Sequence, residues 1–231
     1  MLSIIIPTLN EEEGIAKVIC SIPKKIREFS EVIVADASSD MTPIIAESLG
    51  VKVLRLEKKG KGWQMKEAVK QSSGDVLIFL DGDGTDPADF IPALLKKLEN
   101  NQLVLGCRSL TKFNKEDPEM RQFFQLYSAI ANPVSSILGL KVSDPLAGFR
   151  AIRRKDWDAL DLQSDDFDIE TEMNIKAINK GFTIKEVPIP NLKRCGGVQN
   201  SKFIKSPKMW FKIFKMLLEY KIIKLQKHES L

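Results

Sequence analysis

Short runs of β-branched residues alternating with amphipathic stretches constrain this chain more than any other feature in it. Residues 2–6 (Leu-Ser-Ile-Ile-Ile), 31–35 (Glu-Val-Ile-Val-Ala), 51–56 (Val-Lys-Val-Leu-Arg-Leu) and 75–80 (Asp-Val-Leu-Ile-Phe-Leu) read as strands. Helical patterns fill the gaps at 11–21, 42–49, 62–72 and 88–99, with Gly50 and Pro87 at helix edges. Repetition of this kind predicts an α/β fold: a mostly parallel, Rossmann-like sheet with helices on both faces. The near-continuous apolar character of the strands fits burial on both sides. Further along, the pattern predicts a strand at 102–107, a polar loop at 108–120 and a helix from about 120 to 138, closed by Gly139. A strand at 148–153, a helix at 168–180 ending at Gly181, and a last strand from Phe182 to Val187 follow. Residues 191–202 have no periodicity and read as a loop.

Composition narrows the chemistry. The chain has 231 residues, 43% of them apolar and 29% charged, which suits one folded catalytic unit with an appendage. The division is expected at residues 1–203 and 204–231. His228 is the only histidine, so His-based triads and His-rich zinc sites are excluded. Cys20, Cys107 and Cys195 are odd in number and far apart, forming neither a disulfide framework nor a metal-binding pair. Any metal would therefore rest on carboxylates. No apolar run reaches the roughly 18 to 20 residues of a bilayer span. The opening segment lacks a basic start and breaks at Pro7, so a cytoplasmic location is expected.

In open α/β sheets, ligands lie outside the carboxyl ends of the strands. Each of the first four strands ends in a polar loop: Pro7-Thr-Leu-Asn-Glu-Glu-Glu13, Asp36-Ala-Ser-Ser-Asp40, Glu57-Lys-Lys-Gly-Lys-Gly62 and Asp81-Gly-Asp-Gly-Thr-Asp86. Asp81 and Asp83, separated by Gly82, are placed to meet a hard divalent cation and its phosphates. A plain turn is the competing reading, since Asp and Gly are both turn formers. A calcium loop fails on spacing, because its fifth, sixth and twelfth positions would be Thr85, Asp86 and Pro92. Lys61 between Gly60 and Gly62 suits a phosphate contact, although the loop is not a Walker A sequence and no GxGxxG follows the first strand.

Taken together, these segments resemble family 2 glycosyltransferases. Pro7-Thr-Leu-Asn-Glu11, Asp36-Ala-Ser-Ser-Asp-Met-Thr42, Gly60-Lys-Gly62 and Asp81-Gly-Asp83 match that family's conserved stretches in order. Gly106-Cys-Arg108, Asp144-Pro-Leu-Ala-Gly-Phe-Arg150, Glu186-Val-Pro-Ile189 and Arg194 through Lys202 are similar to its dolichyl-phosphate hexose synthase branch. The resemblance implies a GT-A fold, a nucleoside-diphosphate-sugar donor and Mg²⁺ or Mn²⁺. It implies that Pro7, Thr8, Asn10, Glu11 and Asp36 hold base and ribose, with Lys61 and Gly82 beside the nucleotide. Asp81 would contact ribose or metal, and Asp83 the metal on the diphosphate. Arg108, Arg121, Arg194 and Lys202 would bind the acceptor phosphate. Ala35 stands where the family often has Asp, and Thr85 where the mannosyl branch often has Gln. UDP or GDP, and glucose or mannose, thus stay open.

The chemistry of the acceptor decides whether a base is needed. A hydroxyl would need a carboxylate, for which Asp144, Asp168 and Glu170 are candidates. A polyprenyl phosphate is already anionic and needs only arginines to orient it. The tail favours a lipid-borne acceptor. From Lys193 onward there are ten Lys or Arg against two Asp or Glu, whereas the first 192 residues hold 25 against 29. Ser206-Pro207 suits a helix start. Lys208, Lys212 and Lys215 recur on one face, opposite Trp210, Ile213, Phe214, Leu217 and Leu218. That pattern fits a helix lying on the cytoplasmic face of an anionic membrane, or one packing against its own domain. No nucleic-acid motif accompanies the basic tail. The leading expectation is an inverting, metal-dependent hexosyltransferase acting on polyprenyl phosphate. A family 2 enzyme with a soluble hydroxyl acceptor and a non-catalytic nucleotide-binding module are the alternatives.

Overall fold

The computed structural model describes residues 1–108, 129, 133–134, 136–139, 144–190, 192–196 and 211–220. Among them, seven strands form one sheet in the order β3-β2-β1-β4-β6-β5-β7. These are β1 (Leu2–Thr8), β2 (Ser30–Asp36), β3 (Lys52–Arg55), β4 (Val76–Phe79), β5 (Leu103–Arg108), β6 (Arg150–Arg153) and β7 (Ile184–Ile189). The helices are α1 (Ile15–Ser21), α2 (Lys24–Arg27), α3 (Thr42–Ser48), α4 (Lys61–Lys70), α5 (Ile91–Leu98), α6 (Arg154–Leu160) and α7 (Ile169–Asn179).

β1 is buried along its whole length because both its faces are covered. Ile4 and Ile6 point to one side, onto Ile15, Val18 and Ile19 of α1 and Ile91 and Leu94 of α5. Ile5 points to the other, with Ile33, Leu77 and Phe79, onto Met65 and Ala68 of α4, Trp157 of α6 and Met173 of α7. The period-2 alternation of a strand thus feeds two cores, one on each face of the sheet. β1 runs parallel to β2 and β4, and β5 parallel to β7, as expected. β6 alone is reversed, antiparallel to both β4 and β5. The turn at residues 144–149 lies at the carboxyl edge where β5 ends, so the strand that leaves it must run back.

Several boundaries depart from the expected ones for local reasons. α1 begins at Ile15 rather than near residue 11, because the preceding residues form the turn after β1. The helix expected at 88–99 opens with a 3₁₀ turn, Ala88–Phe90, before α5. α2 and α6 are short and carry no clear apolar period, and neither was expected. The loop at 108–120 lies almost wholly outside the described residues. Of the helix expected at 120–138, residues 129, 133–134 and 136–138 are described and are helical.

The boundary expected near residue 203 also falls outside the described part. Residues 211–220 are helical. Ile213, Leu217 and Tyr220 are buried against Val134, Leu138 and Ile175, the last on α7. This corrects the single apolar stripe drawn from the sequence. Ile213 and Leu217 face the chain's own core, while Phe211, Phe214 and Leu218 are exposed at 69%, 56% and 45%. Lys212 pairs with Asp166 at 3.0 Å, a second tie between this helix and the body. No helix among the described residues is long and apolar enough to cross a membrane.

Candidate active site

The site begins where β1 and β2 end side by side. Thr8 lies in register with Asp36, and its hydroxyl donates to Asp36 Oδ1 at 2.7 Å. Ser38 donates to the same carboxylate from its hydroxyl and its backbone N–H. The chain then turns through Asn10 at φ 53°, a left-handed conformation that Asn tolerates better than most residues. Asn10 Oδ1 accepts from the Ser39 N–H at 2.9 Å, joining the two loops. From α4, Gln64 donates to the carbonyls of Thr8 and Ala35 at 2.6 and 2.7 Å, capping both strands at once. Pro7, Thr8 and Asp36 therefore form a buried floor, and Asn10 is exposed above it.

β4 delivers the acidic loop next to this floor. A Cβ on Gly82 would come within 2.7 Å of the Thr8 methyl, and one on Gly14 within 2.6 Å of the Gly82 carbonyl, so this backbone lies tight against the start of α1. Lys61 bridges Asp81 and Glu170, at 2.6 Å to each. Burial alone would push the Lys61 ammonium down, but the two carboxylates overcome it and raise its pKa. Asp81 shows the converse: withdrawal from water raises it, yet Lys61, Arg194 and Arg108 together bring it below the usual carboxylate range. Burial keeps Glu170 above its ordinary value despite Lys61 and Arg150. Asp86, whose carboxylate accepts from the Asp81 N–H at 2.8 Å, is pushed well up by burial and by the charges of Asp81 and Asp83. It is thus the carboxyl in this cluster best suited to retain a proton.

Asp83 is held on two sides. Its Oδ1 accepts from the hydroxyl and N–H of Thr85 at 2.6 and 2.9 Å. Its Oδ2 pairs with Arg194, whose other amino group meets both oxygens of Glu11 at 2.6 Å. Arg194 thus stands on the carboxylates expected to serve the donor, not at a separate acceptor position. Among the described residues, no group of three or more His, Cys, Asp or Glu is arranged to hold a metal. A Mg²⁺ or Mn²⁺ held by one or two aspartates and completed by substrate phosphates is compatible with that. In this structure the cation at Asp83 is the Arg194 guanidinium.

The glycines around Lys61 have a structural reason the sequence did not reveal. A Cβ on Gly60 or Gly62 would strike the carbonyls of Asp165 or Ser164 at 2.5 and 2.4 Å. The segment before α7 packs directly on this loop, and the Trp63 N–H donates to the Asp165 carbonyl. Close packing accounts for Gly62, and for Gly60 together with its φ of 139°.

On the other side of Asp81, Arg108 at the end of β5 holds Asp144 with two bonds, at 2.7 and 3.2 Å. The turn carrying Asp144 is fixed by Arg150, which is fully buried. Arg150 donates to the carbonyls of Ala147 and Pro145 and to Asn174 on α7. Asn174 donates to the same Pro145 carbonyl. Asn174 and Gln64 are supports of the site that sequence reasoning missed, and Arg150, though part of a recognised motif, carried no assigned role there; a buried Arg looks like any surface Arg until the fold is known. Gly148 in this turn lies so close that a Cβ there would come within 2.6 Å of the Asp81 carboxylate. Arg121 and Lys202 lie outside the described residues. Of the candidate bases, Asp144 and Glu170 are buried and engaged by cations, and Asp168 is buried at the start of α7.

A three-layer α/β sheet whose acidic, lysine- and arginine-bearing loops converge at one carboxyl edge, with Asp-Gly-Asp after β4, is a GT-A arrangement. The glycosyl transferase family 2 model matches residues 3–160, and the chain belongs to that family. It is a glycosyltransferase, of the branch that includes polyprenyl-phosphate sugar transferases. It is 28% identical to the dolichyl-phosphate hexose transferase of Haloferax volcanii over 226 residues, covering 96% of each chain. It is 29% identical to the dolichol-phosphate mannosyltransferase of Pyrococcus furiosus over 195 residues, 80% of this chain and 55% of that one. Its fold is shared with glucosyl-3-phosphoglycerate synthase from Mycobacterium tuberculosis, crystallised with Mn²⁺, UDP and phosphoglyceric acid. That likeness has a TM-score of 0.72 at 23% identity and covers 96% of this chain and 78% of the other.

Proposed function

We propose that this enzyme transfers one hexose from a nucleoside-diphosphate sugar to a polyprenyl phosphate, with inversion, at the cytoplasmic surface of a membrane. The observation that carries the reading is that the acidic loop with Asp81 and Asp83 and the arginine at the end of β5, Arg108, meet at one sheet edge, close enough for Arg108 to act on Asp81; we take the first as the donor side and the second as the acceptor side. The candidate bases Asp144, Asp168 and Glu170 are buried, and two of them are tied to cations. A phosphate nucleophile is already ionised and asks for no base, so this arrangement favours it over a hydroxyl.

Asn10, Glu11 and Asp36 would bind the nucleoside at the floor made by Pro7 and Thr8. Lys61 would hold Asp81 in position beside Gly82, and Asp83 and Asp81 would hold Mg²⁺ or Mn²⁺. When bound, the ion neutralises charge developing on the diphosphate leaving group. Arg108, with Arg121 and Lys202 from segments outside the described residues, would orient the acceptor phosphate, since guanidinium groups grip phosphate oxygens bidentately. The exposed Phe211, Phe214 and Leu218 form an apolar strip that suits a bilayer surface, with Lys215 close by and paired with Glu219 at 3.8 Å.

The test is transfer itself. Purified protein is supplied with labelled UDP-glucose or GDP-mannose, Mg²⁺ or Mn²⁺, and polyprenyl phosphate in detergent. Label entering the organic phase with one donor is expected, and would name the sugar. Donor binding without transfer to lipid, but with transfer to a water-soluble hydroxyl acceptor, would overturn the proposal.

A further inference from the structure

Arg194 occupies an unusual position for a residue expected on the acceptor side. Its side chain is only 13% exposed, and it bridges Glu11 and Asp83, which are 12% and 11% exposed. The backbone assists, because the Cys195 N–H donates to the Asp83 carbonyl at 2.9 Å. A Cβ on Gly84 would come within 2.9 Å of Cys195 Sγ, so the arm at residues 192–196 lies directly on the acidic loop. The seat is imperfect, since Arg194 Nε is buried with no hydrogen-bond partner among the described residues. A buried unsatisfied donor weakens the arrangement that holds it.

We infer that Arg194 is the resident counter-cation of Asp83, displaced when a divalent ion binds there. The inference rests on the proposed donor site, in that it takes Asp83 as a ligand of that ion. A metal-ligating carboxylate can also accept an N–H, but two cations at contact distance on Asp83 Oδ2 repel one another, so guanidinium and metal compete for it. The swap has a consequence for the acceptor. While Arg194 is bound to Asp83 and Glu11 it cannot meet an acceptor phosphate, and once released it presents a bidentate phosphate-binding group at the mouth of the site. Displacement by the ion thus frees an arginine for the acceptor.

The test is Mn²⁺ binding to nucleotide-free protein, followed by electron paramagnetic resonance. Arg194→Ala should bind Mn²⁺ about tenfold more tightly than the wild type, a coupling of ordinary size between competing ligands. Lys17→Ala removes a charge that, among the described residues, donates to the Gly84 carbonyl alone, at 3.4 Å, and should change Mn²⁺ affinity far less. In a Cys20→Ser background, Mn²⁺ should also speed alkylation of Cys195, and this response should vanish in Arg194→Ala. Equal or weaker Mn²⁺ binding by Arg194→Ala, or equal gains from Arg194→Ala and Lys17→Ala, would overturn displacement while leaving the proposed activity standing. Absence of Mn²⁺ binding in both wild type and Arg194→Ala, with UDP present as well as without it, would overturn displacement and the metal role of Asp83 together.

Discussion

Replacing Gly148 with alanine adds one methyl group and removes no functional atom, yet it should disable the site. Gly148 has no positive φ, so alanine meets no left-handed backbone penalty there. The new Cβ would lie 2.6 and 2.8 Å from the two oxygens of Asp81. Ordinary contact begins near 3.4 Å, so the carboxylate must retreat by about 0.8 Å. That carboxylate is fixed at 2.6 Å from Lys61, which is itself pinned by Glu170. It cannot retreat without stretching the bridge. Displacements of this order at a reacting centre cost up to roughly 100-fold in rate. We expect kcat/KM for the donor to fall about 10- to 100-fold, or ~1.4 to 2.7 kcal/mol of transition-state stabilisation. The assay is label transfer at subsaturating donor, with thermal unfolding measured in parallel. Wild-type kcat/KM in a folded Gly148→Ala protein would refute the argument that Asp81 must be held where it is.

Four further outcomes follow from the structure. Asp86 has a pKa raised by burial and by its acidic neighbours. The unfolded chain therefore sheds this proton first, and the group costs stability progressively as pH climbs from its ordinary value of 3.8 through the raised native one. Asp86→Asn should accordingly raise Tm at pH 7 and give a smaller gain at pH 4; a gain that grows on acidification would contradict it. In the helix at 211–220, Ile213→Ala should destabilise the protein by about 2 to 4 kcal/mol as a core truncation. The double change Phe211→Ser and Phe214→Ser should leave Tm nearly unchanged but weaken sedimentation with anionic liposomes, and undiminished sedimentation would sink the membrane assignment. Arg108→Ala should raise KM for polyprenyl phosphate at least tenfold, with little change in donor binding. An effect confined to the donor would mean that Arg108 acts only through Asp144 and Asp81.

The sequence carried most of the strands and the acidic edge because these are local signals. A run such as Ile4-Ile-Ile6 is β-branched wherever it sits, and Asp81-Gly-Asp83 after an apolar run marks a strand end without tertiary information. The reversal of β6 could not be read this way, because strand direction depends on where the preceding segment leaves the chain. The start of α1 was misjudged because Glu11, Glu12 and Glu13 look helical, whereas the strand-end turn at Asn10 claims that stretch. The inward and outward faces of residues 211–220 were merged into one stripe, since periodicity reports apolarity and not which apolar side chain meets a partner. Gln64, Arg150 and Asn174 act through backbone carbonyls, a role with no sequence signature. The Arg194–Asp83 pair joins residues 111 positions apart, and only the fold brings them together.

Central to this account is that the sugar is joined to a phosphate oxygen and not to a hydroxyl. The most direct measurement is ³¹P nuclear magnetic resonance of the purified lipid product, made with ¹³C-labelled donor. A phosphodiester resonance coupled to the anomeric carbon, with the anomeric configuration opposite to that of the donor, is the predicted result. A phosphomonoester left intact while sugar is transferred elsewhere, or a product with retained configuration, would contradict it.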